Sequence, residues 1–332
     1  MLKELIASKH WSNITGLPPG NTFYCHPEIL RRTSKLIFDE LDVSRDDWRE
    51  YWTVEKYLAG IIPVNKCLSI CCGSGGIERR LSRLGVAGKI LGIDIAPGAI
   101  AEAKRKAEAE QLNNISYQVV DLNKAALPIE EYDIIWANGA LHHIENIEEV
   151  VKKLYDSLKP GGYFIANEYV GPKYFQMTSR QEEIVNAVRH LLPEELCSKK
   201  AIIGPPIFNQ GLRFLMRKLN FKPKKGKVSY FGRIFAKLDR IYFKIIDPSE
   251  AISSNLIIQT LKNNFSDVEI RYFNGSILLW VLDDALDKRF LKNFSPENQK
   301  HMTLLNMLFS IEDSLIEAGE FGRDHAHIIC KK

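Results

Sequence analysis

Residues 67–76, which read CLSICCGSGG, decide the fold. A short apolar run ends there in three glycines within four residues. Glycine allows left-handed backbone angles and a close approach of the backbone to a ligand. The helical pattern that follows places free backbone amides where they can bind a phosphate or carboxylate. We therefore expect a strand, a ligand-binding loop and a helix in this order.

Apolar runs alternate with helical patterns on the C-terminal side of that loop. Strands are predicted at 89–94, 115–120, 132–137 and 163–169, and helices at 77–84, 97–112 and 146–158. This alternation predicts βαβ units and an α/β, doubly wound parallel sheet that is buried on both faces. Open sheets of this kind bind ligands beyond the carboxyl ends of their strands.

Two acidic residues follow predicted strands at positions suited to a nucleoside. Asp94 lies 21 residues after Gly73, which is the spacing at which an acid meets ribose hydroxyls. Asp121 ends the third of the five strands and can accept a hydrogen bond from an adenine amino group, or it can cap the next turn with Asn123. A dinucleotide-binding loop would have a third glycine where this chain has Glu78.

The loop, the two acids and the KPGG turn at 159–162 together resemble the class I S-adenosylmethionine-dependent methyltransferases. The resemblance covers about residues 67–170, and the final strand at 325–331 fits it. It implies a Rossmann-like sheet of seven strands that ends in a reversed β-hairpin, and methyl transfer from S-adenosylmethionine. The cofactor-binding residues that it implies are Cys71, Gly73, Gly75, Asp94, Ile95, Asp121, Leu122 and Asn138.

The chain departs from this family at two positions. Ser69 stands where the family often has an acid, and Cys71 stands where it has a glycine. The bulkier residue puts the usual contacts to the cofactor amino group in question, although the Cys71 carbonyl could still make them. Residues 94–100, 141–146, 167–172 and 247–250 also resemble bacterial methyltransferases found near glycosyltransferase, natural-product and surface-glycan genes.

The candidate acceptor residues follow the fourth and fifth of these strands. We expect His143 or Glu168 to be catalytic as a general base, because imidazole and carboxylate groups can take a proton from a hydroxyl. We expect His142 and Tyr169 to bind substrate. The alternatives are that the histidines pack the loop, that Glu168 only binds loop amides, and that alignment without a base suffices. No metal site is predicted.

The same patterns divide the chain into four parts. Residues 1–60 are expected to form a helical cap, 61–171 the cofactor-binding core, 172–262 a helical lid, and 263–332 the completion of the sheet with helices. Residues 221–245 are basic and aromatic, which favours a solvated helix face over a surface for an anionic substrate or a membrane.

Composition narrows the function. A net charge of +4 over 332 residues is too weak to indicate nucleic acid, and no apolar run approaches a membrane-spanning length. We expect a cytoplasmic methyltransferase without nucleic-acid partners, acting on a small molecule, with a sugar or natural-product hydroxyl as acceptor. The alternatives are C- or N-methylation of a natural product, or a non-catalytic binding module on the same fold. Oligomeric state is left open.

Overall fold

The computed structural model describes residues 8, 26–189, 191–193, 249–274, 277–282 and 295–332. Most of the predicted lid lies outside these residues. So does the basic-aromatic segment 221–245.

A seven-stranded sheet forms the centre of the described structure. Its strands are β1 (Val64–Ile70), β2 (Ala87–Asp94), β3 (Ile115–Val119), β4 (Tyr132–Asn138), β5 (Leu158–Tyr169), β6 (Asp267–Phe273) and β7 (His325–Lys331). They lie in the order β3-β2-β1-β4-β5-β7-β6. The first five are parallel, and β7 runs antiparallel to both β5 and β6. The predicted doubly wound α/β sheet with a reversed final hairpin is confirmed.

Both faces of the sheet are buried, as the apolar strands predicted. Along β1, Leu68 and Ile70 belong to one apolar cluster, whereas Cys67 belongs to a second cluster on the opposite face. Along β4, Ile135 joins the first cluster, and Ile134 joins the second. Successive side chains of a strand point to opposite faces, so this division shows that helices cover the sheet on both sides.

Helices flank the sheet on either side. They are α1 (Pro27–Phe38), α2 (Trp48–Thr53), α3 (Gly76–Arg83), α4 (Pro97–Ala109), α5 (Ile147–Ser157), α6 (Ser179–Arg189), α7 (Ile257–Asn264), α8 (Leu278–Val281) and α9 (Gln299–Glu317). A π-helical turn, Val54–Leu58, continues α2. Pro97 opens α4, where its missing amide costs nothing. No helix in the described parts of the chain is long and apolar enough to cross a membrane.

Four helices build a third apolar cluster away from the sheet. Side chains from α1, α6, α8 and α9 meet in it, including Ile29, Val185 and Leu305. Arg32 on α1 reaches across to α9, where its guanidinium nitrogens lie 2.8 Å from a Glu312 carboxylate oxygen and 2.7 Å from an Asp313 oxygen. The N-terminal and C-terminal helices therefore share one packing unit.

One helix begins later than its sequence pattern indicates. The pattern predicts a helix from Asp247 to about Asn263, but α7 starts only at Ile257. Ala251 has a positive φ of 49°, which a helix cannot continue through. The preceding turn instead approaches the loop after β4. The sequence pattern over 275–286 is ambiguous and favours a helix. The structure has a helix of four residues there, α8, while 275–276 and 283–294 lie outside the described chain.

Candidate functional site

The loop after β1 turns sharply through three residues with left-handed backbone angles. Cys71 has φ 48°, Gly73 has φ 52° and Gly75 has φ 76°. Glycine adopts such angles freely, whereas a residue with a Cβ atom is strained there by about 1–2 kcal/mol. The departure at Cys71 therefore falls on a position whose backbone suits glycine.

The two glycines of this loop serve different purposes. A Cβ atom on Gly75 would lie 2.4 Å from the Tyr117 hydroxyl and 2.9 Å from the Ala103 Cβ, so only glycine fits. A Cβ atom on Gly73 would meet nothing within 4 Å, because Gly73 borders a cavity. Arg79 donates to the Ser74 and Gly75 carbonyl oxygens at 2.9 and 2.7 Å and holds the loop. Gly73 thus leaves space that a bound ligand can occupy.

Asp94 ties the end of β2 to the glycine loop. Its Oδ2 accepts a hydrogen bond from the Gly73 amide at 2.9 Å, and its Oδ1 accepts one from the Ala96 amide at 2.8 Å. Burial raises the pKa of Asp94, although these amides oppose the shift. Each carboxylate oxygen can accept more than one bond, so Asp94 can also receive hydroxyl donors.

A cavity of about 710 Å³ opens at the carboxyl ends of the parallel strands. Seven of the eight predicted cofactor residues line it: Cys71, Gly73, Asp94, Ile95, Asp121, Leu122 and Asn138. The eighth, Gly75, lies behind the loop against Tyr117. The volume falls in the usual range for small-molecule sites, about 300–1,000 Å³. The sequence pattern therefore brings the predicted residues to one place.

At the far end of this cavity, the turn after β3 uses Asp121 for local structure. Its Oδ1 accepts from the Asn123 amide at 3.1 Å, and its Oδ2 lies 2.7 Å from Lys124 Nζ. Asp121 thus caps the turn with Asn123, as one alternative predicted, and it also lines the cavity. Nearby, the Ser8 hydroxyl donates to the Ile95 carbonyl at 3.1 Å, so Ser8 reaches this rim.

Glu168 organises the loop after β4. Its Oε1 accepts hydrogen bonds from the Ala140 and Leu141 amides at 2.8 and 2.9 Å. Its Oε2 lies 2.8 Å from His142 Nδ1. Glu168 is only 1% exposed and is not among the residues that line the cavity. The contacts of Glu168 therefore match the alternative in which this carboxylate binds the amides of the loop.

His142 lies between two carboxylates. Besides Glu168 on Nδ1, its Nε2 lies 3.6 Å from Glu250 Oε1. Burial lowers the pKa of His142, but the hydrogen bonds and negative charges of Glu168 and Glu250 outweigh it and raise that pKa to about 9. At neutral pH His142 is therefore a cation, and it is a donor rather than a proton acceptor.

His143 is the histidine of this pair that borders the cavity. Its Nδ1 lies 3.3 Å from the Ser249 hydroxyl, and its ring centroid lies 4.2 Å from that of His142. Ser253 fastens the same turn, because its hydroxyl donates to the Leu141 carbonyl at 3.0 Å. The turn at 249–253 thus joins the loop after β4 and supplies cavity wall.

Tyr169 lies behind this wall. It is 7% exposed, and its hydroxyl donates to the Pro172 carbonyl at 3.0 Å. Its ring meets that of His142 edge-on, with centroids 6.5 Å apart. Like His142, it is not among the cavity-lining residues, and its contacts support the loop.

The ligand atoms of His142, His143 and Glu250 lie within 4.8 Å of one another, a spacing that could hold a metal ion. Sequence reasoning predicted no metal and did not single out Glu250, because that residue lies far away along the chain. A protonated His142 provides positive charge in the same place.

Sequence reasoning also did not assign a site role to Glu78, which lines the cavity from α3. The side chain is 0% exposed, and one carboxylate oxygen accepts a hydrogen bond from the Ser69 hydroxyl. The other oxygen has no hydrogen-bond partner among the described residues. Burial raises the pKa of Glu78 to about 7. Its place on a helix, rather than at the strand end, hid it from a motif search.

The comparison with family models agrees with this geometry. Residues 67–162, which span the glycine loop and β1 to β5, match a family described as a methyltransferase domain. The fold and this match together identify a class I S-adenosylmethionine-dependent methyltransferase domain within the chain. The methyltransferase acts with S-adenosylmethionine as its cofactor, as the resemblance implied.

Curated relatives are methyltransferases as well. Over 169 residues, the methyltransferase is 27% identical to a 2-phytyl-1,4-naphtoquinone methyltransferase of a Nostoc species, covering 48% of this chain and 70% of that one. It is 32% identical to a demethylmenaquinone methyltransferase of Oceanobacillus iheyensis over 108 residues, covering 32% of this chain and 44% of that one. The chain also matches the crystal structure of an S-adenosylmethionine-dependent methyltransferase from Mesorhizobium loti, with 27% identity and a TM-score of 0.30. This match covers 33% of this chain and 50% of that one.

The residues of the cavity fit S-adenosylmethionine. The open space beside Gly73 admits the ligand to the backbone of the loop. Asp94 provides carboxylate oxygens for hydroxyl donors, and the unpartnered oxygen of Glu78 provides an acceptor for a cation. A ligand that carries a ribose and an ammonium group meets all three features.

Proposed function

We propose that the methyltransferase methylates a hydroxyl group of a small molecule. The observation that carries this proposal is the placement of His143 in the cavity wall, beside a loop that Glu168 and His142 hold rigid. A hydroxyl is a weak nucleophile until it loses its proton, and imidazole accepts protons near neutral pH.

The residues of the chain divide the work. Asp94 and the loop around Gly73 would hold the cofactor, which supplies a methyl group already activated by the positive charge on sulfur. His143 accepts the acceptor proton at one of its ring nitrogens while the cavity wall aligns the nucleophile. Alignment and proton removal together lower the barrier, because each contributes independently to the rate.

Glu168 acts as a positioning residue in this proposal. Its two oxygens already receive three hydrogen bonds, and it is buried away from the cavity. His142 is positively charged at neutral pH and braces His143 from behind. Of the two base candidates, the contacts therefore favour His143.

The acceptor class follows from two kinds of similarity. The relatives from Nostoc and Oceanobacillus are named for quinone-type compounds, and one from Acinetobacter baylyi, 29% identical over 106 residues (32% of this chain, 44% of that one), is named as a ubiquinone biosynthesis O-methyltransferase. These names support an aromatic hydroxyl, whereas the narrower bacterial likeness supports a sugar or natural product. Ring-carbon methylation is the second candidate, since an ionised phenol is nucleophilic at carbon as well as oxygen.

The segment 172–262 would cover the acceptor. Its described end, at 249–253, supplies Ser249 and Ile252 to the cavity wall. A cover of this kind excludes water and favours acceptors small enough to be enclosed.

The test is transfer of an isotope-labelled methyl group from S-adenosylmethionine to a panel of hydroquinones, phenols and sugars. Mass spectrometry of the product identifies the atom that is methylated. Labelled product from hydroxylated acceptors supports the proposal, and labelling at nitrogen alone contradicts it. Binding of S-adenosylhomocysteine without any transfer across a broad panel would favour a binding module.

A further inference from the structure

Glu78 is a buried carboxylate without a full set of partners. It is the third residue of α3, and its side chain turns back toward β1, where Ser69 donates a hydrogen bond to Oε1. The remaining oxygen, Oε2, is buried and has no partner in the described part of the chain. A buried carboxylate that lacks a partner is costly, so a site of this kind indicates a missing donor.

The nearest cations are turned elsewhere. Arg79 directs its guanidinium to the Ser74 and Gly75 carbonyl oxygens and to Glu110. Arg80 points toward Glu50, with 3.5 Å between its nitrogen and a carboxylate oxygen. Asp94 adds negative charge close by and contributes to the raised pKa of Glu78. Among the described residues, no cation therefore forms a hydrogen bond with the Glu78 carboxylate in the cavity wall.

A cation that enters the cavity would both supply the missing donor and balance the charge of the carboxylate. S-adenosylmethionine carries an ammonium group on its methionyl end, and the glycine loop lies beside Glu78. Ser69 occupies the strand position where the resemblance leads one to expect an acid. The serine hydroxyl instead holds the carboxylate that comes from the helix.

We propose that Glu78, held by the Ser69 hydroxyl, binds the ammonium group of S-adenosylmethionine. The acid has moved from the end of β1 to the first turn of α3, and it reaches the same part of the cavity from there. This inference rests on cofactor binding and not on the identity of the acceptor. Its test therefore needs no acceptor and can fail while the proposed function stands.

The experiment compares two ligands by calorimetry at about pH 7.5, where the Glu78 carboxyl is mostly ionised. One is S-adenosylhomocysteine, and the other is its analogue with hydrogen in place of the amino group. The wild-type chain is expected to bind the first about 10- to 100-fold more tightly, because hydrogen bonds between charged groups are strong. In Glu78→Gln this preference should fall to within a few-fold, while the affinity for the deaminated analogue stays unchanged.

Glu108→Gln is the matched control. It removes a carboxylate from an exposed position on α4, so the ligand preference should persist. Equal weakening of both ligands in Glu78→Gln would overturn the proposal, since it would show a general change in cavity shape. A wild-type chain that binds both ligands equally would overturn it without any variant.

A second measurement uses the wild-type chain alone. The preference for S-adenosylhomocysteine should grow as pH rises from about 5.5 to 7.5 and Glu78 ionises. The groups that face Glu78 are Asp94, Arg79, Cys67, Cys72 and Tyr117. Burial raises the pKa of both thiols and of the phenol, so they stay neutral in this range. Titration of Asp94 should affect both ligands alike, so comparison with the deaminated analogue removes its contribution. A preference that does not change with pH would overturn the assignment.

Discussion

The cavity has two sides that are assembled in different ways. The cofactor side, made of the glycine loop and Asp94, comes from one stretch of sequence, 67–94. The acceptor side joins His143 to Ser249, which lies 106 residues further along the chain. A side built from adjacent βα units leaves a regular spacing in the sequence. A side built from distant segments leaves none, because the contact forms only when the chain folds.

The two sides also differ in how their charges are satisfied. On the acceptor side, Glu168 receives three hydrogen bonds and His142 lies between two carboxylates. On the cofactor side, Glu78 has one oxygen that finds no partner among the residues that the structure describes. The first arrangement is complete in the protein alone, whereas the second is completed by a ligand.

The largest effect is expected from His143→Ala. Without a base, single-turnover methyl transfer to a hydroxyl acceptor should fall by about 10²- to 10⁴-fold, while the affinity for S-adenosylhomocysteine is unchanged. His301→Ala is the control, because that histidine is also half-buried but lies on α9, away from the cavity. A variant that keeps the wild-type rate would show that alignment alone suffices.

Asp94→Ala should weaken cofactor binding. The variant loses the acceptor for the Gly73 and Ala96 amides and for the ribose hydroxyls, at a cost of roughly 1.5–3 kcal/mol. Calorimetry with S-adenosylhomocysteine measures the loss, and Asp156→Ala, at a partly exposed position on α5, serves as the control. An unchanged dissociation constant would remove Asp94 from the cofactor side.

Glu168→Gln should act on stability more than on cofactor affinity. The amide keeps one acceptor oxygen but loses the ionic contact to His142, so the free energy of unfolding should fall by about 1–3 kcal/mol. Urea unfolding measures this change. A large loss of S-adenosylhomocysteine affinity at unchanged stability would instead place Glu168 on the cofactor side.

Glu78→Gln should change how stability depends on pH in the absence of cofactor. The pKa of Glu78 is raised in the folded state to about 7 from its ordinary 4.5. The stability that this group contributes is present below pH 4.5 and is lost as pH rises through about 7. The wild-type chain should therefore lose on the order of 3 kcal/mol relative to the variant across that window.

Urea unfolding of both proteins at several pH values measures that difference. Other buried groups titrate in the same window, among them Asp324, whose pKa burial raises to about 7. Only the difference between the two proteins isolates Glu78. Parallel stability curves would show that its carboxyl is satisfied in the folded chain.

The smallest effect is expected from metal chelation. His142 is protonated at neutral pH and already balances Glu168 and Glu250, so removing divalent cations should leave the methyl-transfer rate unchanged. The measurement is the initial rate with and without excess chelator. A rate that falls and returns on adding a divalent cation would assign His142, His143 and Glu250 to a metal site.

The sequence determined the sheet and the place of the cofactor side. Apolar runs and βα alternation predicted β1 to β5, and the sheet contains them. The spacing from Gly73 to Asp94 predicted an acid for ribose hydroxyls, which stays a prediction, and in the structure Asp94 accepts a hydrogen bond from the Gly73 amide. These features could be predicted because they depend on neighbouring elements and on backbone preferences. The prediction that a helix begins at Asp247 was wrong. That helix begins at Ile257, because the chain turns at Ala251 and packs against the loop after β4.

The tertiary structure alone decided which side chains act and in what charge state. The sequence presents His143 and Glu168 as candidate bases and His142 as a candidate substrate-binding residue. In the structure, burial and three hydrogen bonds make Glu168 a loop support, and two carboxylates raise the pKa of His142 so that it is a cation at neutral pH. It presents Glu78 as an ordinary residue of an amphipathic helix. In the structure, Ser69 on the strand donates to one oxygen of Glu78, and the other oxygen has no partner among the described residues. The desolvation of this carboxyl depends on its tertiary surroundings, which no local sequence pattern encodes.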